Sequence, residues 1–107
     1  MKLRPDMNIV CICRHGQVRS VAARYILAGY GYYRVLCCGW ESTHEETLAM
    51  LYMWANAVLI VGRPSDWRLN IPAEKVCMIE VGKDTYDRYD NPDLLKLVDD
   101  RIKEFLP

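Results

Sequence analysis

Four short apolar runs, Asn8 to Cys13, Val35 to Cys38, Ala57 to Val61 and Val76 to Ile79, constrain the fold of this chain more than any other feature. None of them alternates with polar residues. A strand with one wet face repeats its apolar residues at every second position, whereas a strand covered on both faces reads as an unbroken apolar stretch. Runs this short and rich in Val and Ile therefore predict parallel strands sandwiched between helices. Helical patterns fill the intervals. Val21, Tyr25 and Ala28 recur at helical spacing, with Gly29 and Gly31 as stops. Ser42-Thr43 followed by Glu45-Glu46 reads as a double capping box, and Leu48, Leu51, Tyr52 and Ala55 form one apolar stripe behind it. Asn91-Pro92 opens a last helix with a cap and a first-turn proline, and Leu95, Val98, Ile102 and Phe105 are its expected buried face.

The resulting order is strand, helix, strand, helix, strand, irregular stretch, strand, helix. That alternation predicts a three-layer α/β domain over residues 1–107, with a four-stranded parallel sheet in the order 2-1-3-4 and helices on both faces. The least regular part is the connection from Arg63 to Lys75. In open sheets of this type the ligand crevice lies beyond the carboxyl ends of the strands, which singles out the loops after Cys13, Cys38, Val61 and Val81.

Charge and cysteine usage narrow the class of partner. Fourteen basic residues balance fourteen acidic ones, so neither a nucleic-acid coat nor a polybasic membrane anchor is expected. No stretch reaches the roughly 18 consecutive apolar residues of a bilayer span, and the polar start, Met1 to Asp6, has no hydrophobic region of signal length. The five cysteines, Cys11, Cys13, Cys37, Cys38 and Cys77, are odd in number and sit within or at the ends of apolar runs. That pattern suits reduced core thiols and a cytoplasmic location better than a disulfide framework. No Cys-x-x-Cys knuckle is present, so a zinc site is not expected.

The chemistry concentrates in the loop after the first strand, Cys13-Arg14-His15-Gly16-Gln17-Val18-Arg19-Ser20. Cys13 ends a strand and Arg19 begins a helix. The backbone N–H groups between them can curl around one tetrahedral oxyanion at the positive end of the helix dipole. Gly16 allows the backbone to turn where a side chain would obstruct it. Arg19 can grip two oxygens with its planar fork, and the same positive surroundings favour a thiolate at Cys13. Ser20 can donate a hydrogen bond to that sulfur. His15 reads as a side chain leaning over the mouth of the loop, and His44 as a solvated residue of a first helical turn.

The pattern Cys-x-x-Gly-x-x-Arg-Ser resembles the signature loop of the protein tyrosine phosphatases. Its place on the first strand of an alternating sheet resembles the low-molecular-weight branch and its short bacterial and phage relatives, as does the step Trp54 to Val61. The glycine spacing is nearer to that of the dual-specificity enzymes, although Ile12 stands where those have a histidine. The resemblance implies a hydrolase that needs no cofactor and forms a phosphocysteine on Cys13. Arg14, His15, Gly16, Gln17, Val18 and Ser20 would bind the substrate phosphate, and Arg19 would act in catalysis. It also implies a general acid in a late loop, often Asp-Pro-aromatic. Asp84-Thr85-Tyr86 stands there, which makes Asp84 the expected acid and Tyr86 the matching aromatic, with Asp87 as the alternative. Substrates would be phosphorylated proteins, phosphotyrosine foremost, or small phosphoesters; the resemblance leaves the oligomeric state open. Two other readings stand beside it: an arsenate reductase, which needs a relay of exposed thiols, and a phosphate- or nucleotide-binding module without turnover.

Aromatic and acidic clusters complete the reading. Trp40, Trp67 and Tyr86 would line the crevice walls. Tyr30, Tyr32 and Tyr33 are expected to pack, and Asp99-Asp100 to lie on a solvated helix face.

Overall fold

The alternation of apolar runs and helical stripes is realised as β1 (Ile9–Cys13), α1 (Arg19–Gly29), β2 (Val35–Gly39), α2 (Glu45–Trp54), β3 (Ala57–Gly62), β4 (Val76–Glu80) and α3 (Pro92–Ile102). The computed structural model describes residues 1–66 and 70–107. All four strands are parallel, and their order is β2-β1-β3-β4, as the alternation implies. Successive side chains of β1 and β3 enter opposite layers. Ile9, Cys11, Leu59 and Val61 join Ala22, Ala23 and Leu27 of α1 and Leu94, Val98 and Ile102 of α3 in one core. Val10, Ile12, Val58 and Ile60 meet Leu48, Tyr52 and Ala55 in a second core beneath α2. No helix among the described residues is long and apolar enough to cross a membrane.

The register explains where the crevice opens. Pairing of β1 with β3 stops at Ile12 and Ile60, whereas β1 pairs with β2 as far as Cys13 and Gly39, and β3 pairs with β4 as far as Gly62 and Glu80. The sheet thus parts at the level of Cys13, at the point where chain connections leave in opposite directions.

Several local expectations shift, each for a physical reason. The buried side of α1 is Arg19, Ser20, Ala22, Ala23 and Leu27, not the stripe through Val21, Tyr25 and Ala28. Small residues let the helix approach the sheet, and Tyr25 turns outward to meet Tyr89 with ring centroids 6.0 Å apart. The cap of α2 is His44 instead of Ser42 or Thr43: its Nδ1 accepts from the Glu46 N–H at 3.3 Å. Ser42 is used elsewhere, donating to the His15 carbonyl at 3.0 Å. Asn91 caps α3 as expected, accepting from the N–H groups of Asp93 and Leu94, and Pro92 follows it. The buried line of α3 is Leu94, Val98 and Ile102, with Leu95 and Phe105 only partly covered.

Coverage of the sheet is unequal, with α1 and α3 on one face and only α2 on the other. Edge strand β2 consequently leaves Leu36 exposed and Cys37 half-buried, where burial on both faces was expected. Of the three clustered tyrosines only Tyr32 is buried, its hydroxyl donating to the Leu3 carbonyl at 2.8 Å. Tyr30 donates to Asp99 at 2.6 Å, so Asp99 ties the end of α1 to α3 instead of simply facing solvent, and that hydrogen bond holds its carboxyl below the ordinary range.

The one-residue shift on α3 is directly measurable. Leu94→Ala should cost about 2–5 kcal/mol of unfolding free energy, and Leu95→Ala about 1 kcal/mol. Chemical denaturation of the two variants gives the comparison, and equal losses would contradict this packing.

Candidate active site

The segments that follow the four strands meet at one cleft of about 310 Å³, lined by Arg14 and Arg19, Trp40, Arg63 and Asp66, and Lys83, Asp84 and Thr85. These groups follow β1, β2, β3 and β4 respectively, Arg19 as the first residue of α1.

The loop after β1 is held by the segment after β2. Trp40 N–H donates to the Cys13 carbonyl and Glu41 N–H to the Arg14 carbonyl, both at 3.0 Å. Gly16 adopts φ +73°, and a Cβ there would lie 2.6 Å from the Cys38 carbonyl carbon and 2.7 Å from Gly39 N. A Cβ on Gly39 would lie 2.3 Å from the His15 carbonyl carbon. The two backbones therefore touch with no room for side chains, which is why both positions are glycine. An exposed Arg14–Glu41 ion pair of 2.9 Å clips the rim, and its hydrogen bond holds the Glu41 carboxyl below the usual carboxylate range.

At the bottom of the loop, Cys13 Sγ accepts the Gly16 N–H at 3.2 Å and lies 3.2 Å from Ser20 Oγ. Val18 adjoins the start of α1 without a side-chain cap. The N–H groups of Gln17, Val18 and Arg19 have no hydrogen-bond acceptor among the described residues, the usual condition of a helix start that is free to receive an anion. The Arg14, His15 and Gln17 side chains are exposed and Val18 packs against the core, so the loop presents backbone, not side chains, to its own centre.

Arg19 is 2% exposed. Its Nη1 donates to the Gly82 carbonyl at 2.9 Å and lies 3.9 Å from Asp66 Oδ2, and its Nε faces Asp84 Oδ1 at 3.6 Å. That Nε is buried and has no hydrogen-bond partner among the described residues, an orphaned donor on a guanidinium beside the loop.

Of the residues named from the sequence, Cys13, Gly16, Arg19 and Ser20 converge at the loop, and Asp84 borders the same cleft across Arg19. Asp87 lies in a separate surface hollow with Arg88, Asp90, Asn91 and Pro92. Tyr86 is half-buried against the α1–α3 core instead of lining the cleft, where its neighbour Thr85 stands. Trp40 does line it, and Trp67 lies outside the described residues. Asp66 and Lys83 carry no sequence motif, and Asp66 falls in the connection read as irregular. Its one local signal is the tight turn Arg63-Pro64-Ser65-Asp66.

Compared with known proteins, the chain matches no family model, no curated protein and no solved structure.

Among the described residues, Cys13 Sγ is the thiol that receives a backbone N–H, that of Gly16, beside a helix start. Burial pushes Cys11 well above its ordinary value, Cys37 up to about 11, Cys38 up to about 12, and Cys77 upward. Iodoacetamide at neutral pH should therefore label Cys13 first, with protection by inorganic phosphate, as peptide mapping would read. Uniform labelling of all the cysteines would contradict a reactive Cys13. Gly39→Ala should destabilise the fold by about 1–3 kcal/mol and displace the loop, lowering that phosphate protection.

Proposed function

We propose that this chain is a cysteine-dependent phosphomonoesterase of the low-molecular-weight tyrosine phosphatase type. The observation that carries this reading is the grouping at the end of β1: a sulfur hydrogen-bonded by Gly16 N–H and in contact with Ser20 Oγ, beside a buried arginine that also faces a cleft carboxylate. A thiol beside an anion-receiving helix start, and a guanidinium and an acid in the cleft that Arg14 and Arg19 line, are the parts needed to break a phosphate ester by nucleophilic catalysis.

The chemistry follows from those positions. The Cys13 thiolate attacks phosphorus as the ester P–O bond breaks, and protonated Asp84 gives its proton to the leaving oxygen. The phosphoryl oxygens are held by the loop N–H groups and by Arg19, whose free Nε supplies a donor where charge builds up. Asp84, now a carboxylate, takes a proton from a water that attacks phosphorus. The S–P bond breaks, and the Ser20 hydroxyl steadies the departing thiolate. Phosphate and the starting thiolate result, with no net change in the enzyme.

Trp40, the aromatic ring in the cleft lining, supports an aryl phosphate as substrate, and phosphotyrosine is its commonest protein form. The raised values of Cys37 and Cys38 favour hydrolysis over an arsenate-reducing relay, which needs resolving thiols that ionise readily. A cytoplasmic setting fits five free cysteines.

Two substitutions test the reading. Cys13→Ser should abolish turnover of an aryl phosphate while phosphate binding, followed by calorimetry, survives. Asp84→Asn should slow phenyl phosphate by about 10²–10⁴-fold and a nitrophenyl ester far less, because a good leaving group hardly needs the proton. Wild-type protein that binds phosphate without turnover would make it a binding module.

A further inference from the structure

The residue with the most unexplained structure around it is Asp66. Its side chain is 9% exposed, and beyond its own turn it reaches Arg19, the buried first residue of α1. It accepts the Arg63 N–H at 2.9 Å, its own N–H donates to the Arg63 carbonyl at 2.9 Å, and the Arg63 guanidinium reaches its other oxygen at 3.5 Å. The turn after β3 is thus closed twice on itself, and the product of that closure is one carboxylate directed at Nη1 of Arg19.

Gly62 supplies an independent line. A Cβ at Gly62 would lie 2.5 Å from Asp66 Oδ2 and 2.9 Å from Arg19 Nη1, so the end of β3 lacks a side chain at the place where these two groups approach. An ordinary strand end has no such need. The guanidinium is consequently held along its Nη1 side by Asp66 and the Gly82 carbonyl, while Nε, without a hydrogen bond among the described residues, faces Asp84 Oδ1 at 3.6 Å. A buried arginine without this restraint has several staggered rotamers to sample, and only an aligned fork binds two oxygens of one phosphate.

Resting on the oxyanion-loop reading above, we propose that Asp66 is the positioning residue of Arg19, and that Gly62 is glycine in order to let it serve. The two carboxylates around one arginine then have separate duties. Asp66, tied by Arg63 on a closed turn, orients the guanidinium. Asp84, 26% exposed and on a different turn, remains free to exchange a proton with the leaving group.

The test is a double-mutant cycle read by calorimetric titration with inorganic phosphate and by turnover of two aryl phosphates. Asp66→Ala should weaken phosphate binding by roughly tenfold, and Asp66→Glu should not restore it, because the closed turn fixes the reach. The ratio of rates on good and poor leaving groups should stay at the wild-type value, which separates this role from that of Asp84. In an Arg19→Ala background, Asp66→Ala should have no further effect on phosphate affinity. Should that background fail to fold, Gly62→Ala replaces it, and it should reproduce the loss seen with Asp66→Ala. Additive effects in the cycle, or phosphate binding by Asp66→Ala and Gly62→Ala equal to wild type, would overturn the proposal. Failure of the wild-type protein itself to bind phosphate would remove the oxyanion reading as well.

Discussion

A guanidinium removed from water at the open end of the sheet sets the terms for everything around it. Taking a charge out of solvent costs several kcal/mol unless other groups replace the lost hydration. For Arg19 the replacements are the Gly82 carbonyl and the carboxylates of Asp66 and Asp84, reached from turns after β3 and β4. The sheet order makes this feasible. Because β1 and β3 stop pairing at Ile12 and Ile60, α1 can begin over the parting of the strands and bring its first residue down between the two later loops.

Glycine placement and strand register cooperate in the same region. On the β2 side, Gly16 and Gly39 allow two backbones to touch, which fixes the height of the loop above Cys13. On the β3 side, Gly62 leaves space for the arginine and its carboxylate. The nucleophile candidate and the cation are therefore set by opposite edges of the parting, one through backbone contact and the other through charge. The surrounding side chains at Arg14, His15 and Gln17 stay exposed and leave the loop interior to N–H groups.

Much of this was legible in the sequence because it follows from local chemistry. Unbroken apolar runs dictated a sheet covered on both faces, and the Cys13-to-Arg19 spacing marked the strand-to-helix junction. The parts that were not legible depend on contacts far along the chain. Asp66 sits in a stretch with no periodicity, and nothing in its neighbours reveals that the turn folds back toward α1. The cap of α2 moved to His44 because Ser42 is engaged by His15, a long-range partner that a capping pattern cannot register. Leu94 rather than Leu95 faces the core because the cap at Asn91 sets the phase of α3, and two adjacent leucines look alike until that phase is known. Tyr86 resembled a cleft aromatic by spacing, but its ring is drawn to the apolar layer between α1 and α3.

The Arg19–Gly82 hydrogen bond joins residues 63 positions apart. Contacts of that separation form late, since a long stretch of chain must be ordered before they can close. During synthesis from the amino end, the cysteine loop and its helix emerge well before the turns that bury the arginine. Until those turns arrive, Arg19 is hydrated and mobile, and the loop lacks the fixed guanidinium beside it. Assembly of the cleft is in this way coupled to completion of the sheet: a nascent or partly unfolded chain carries the thiol loop without the buried cation and the carboxylates that surround it.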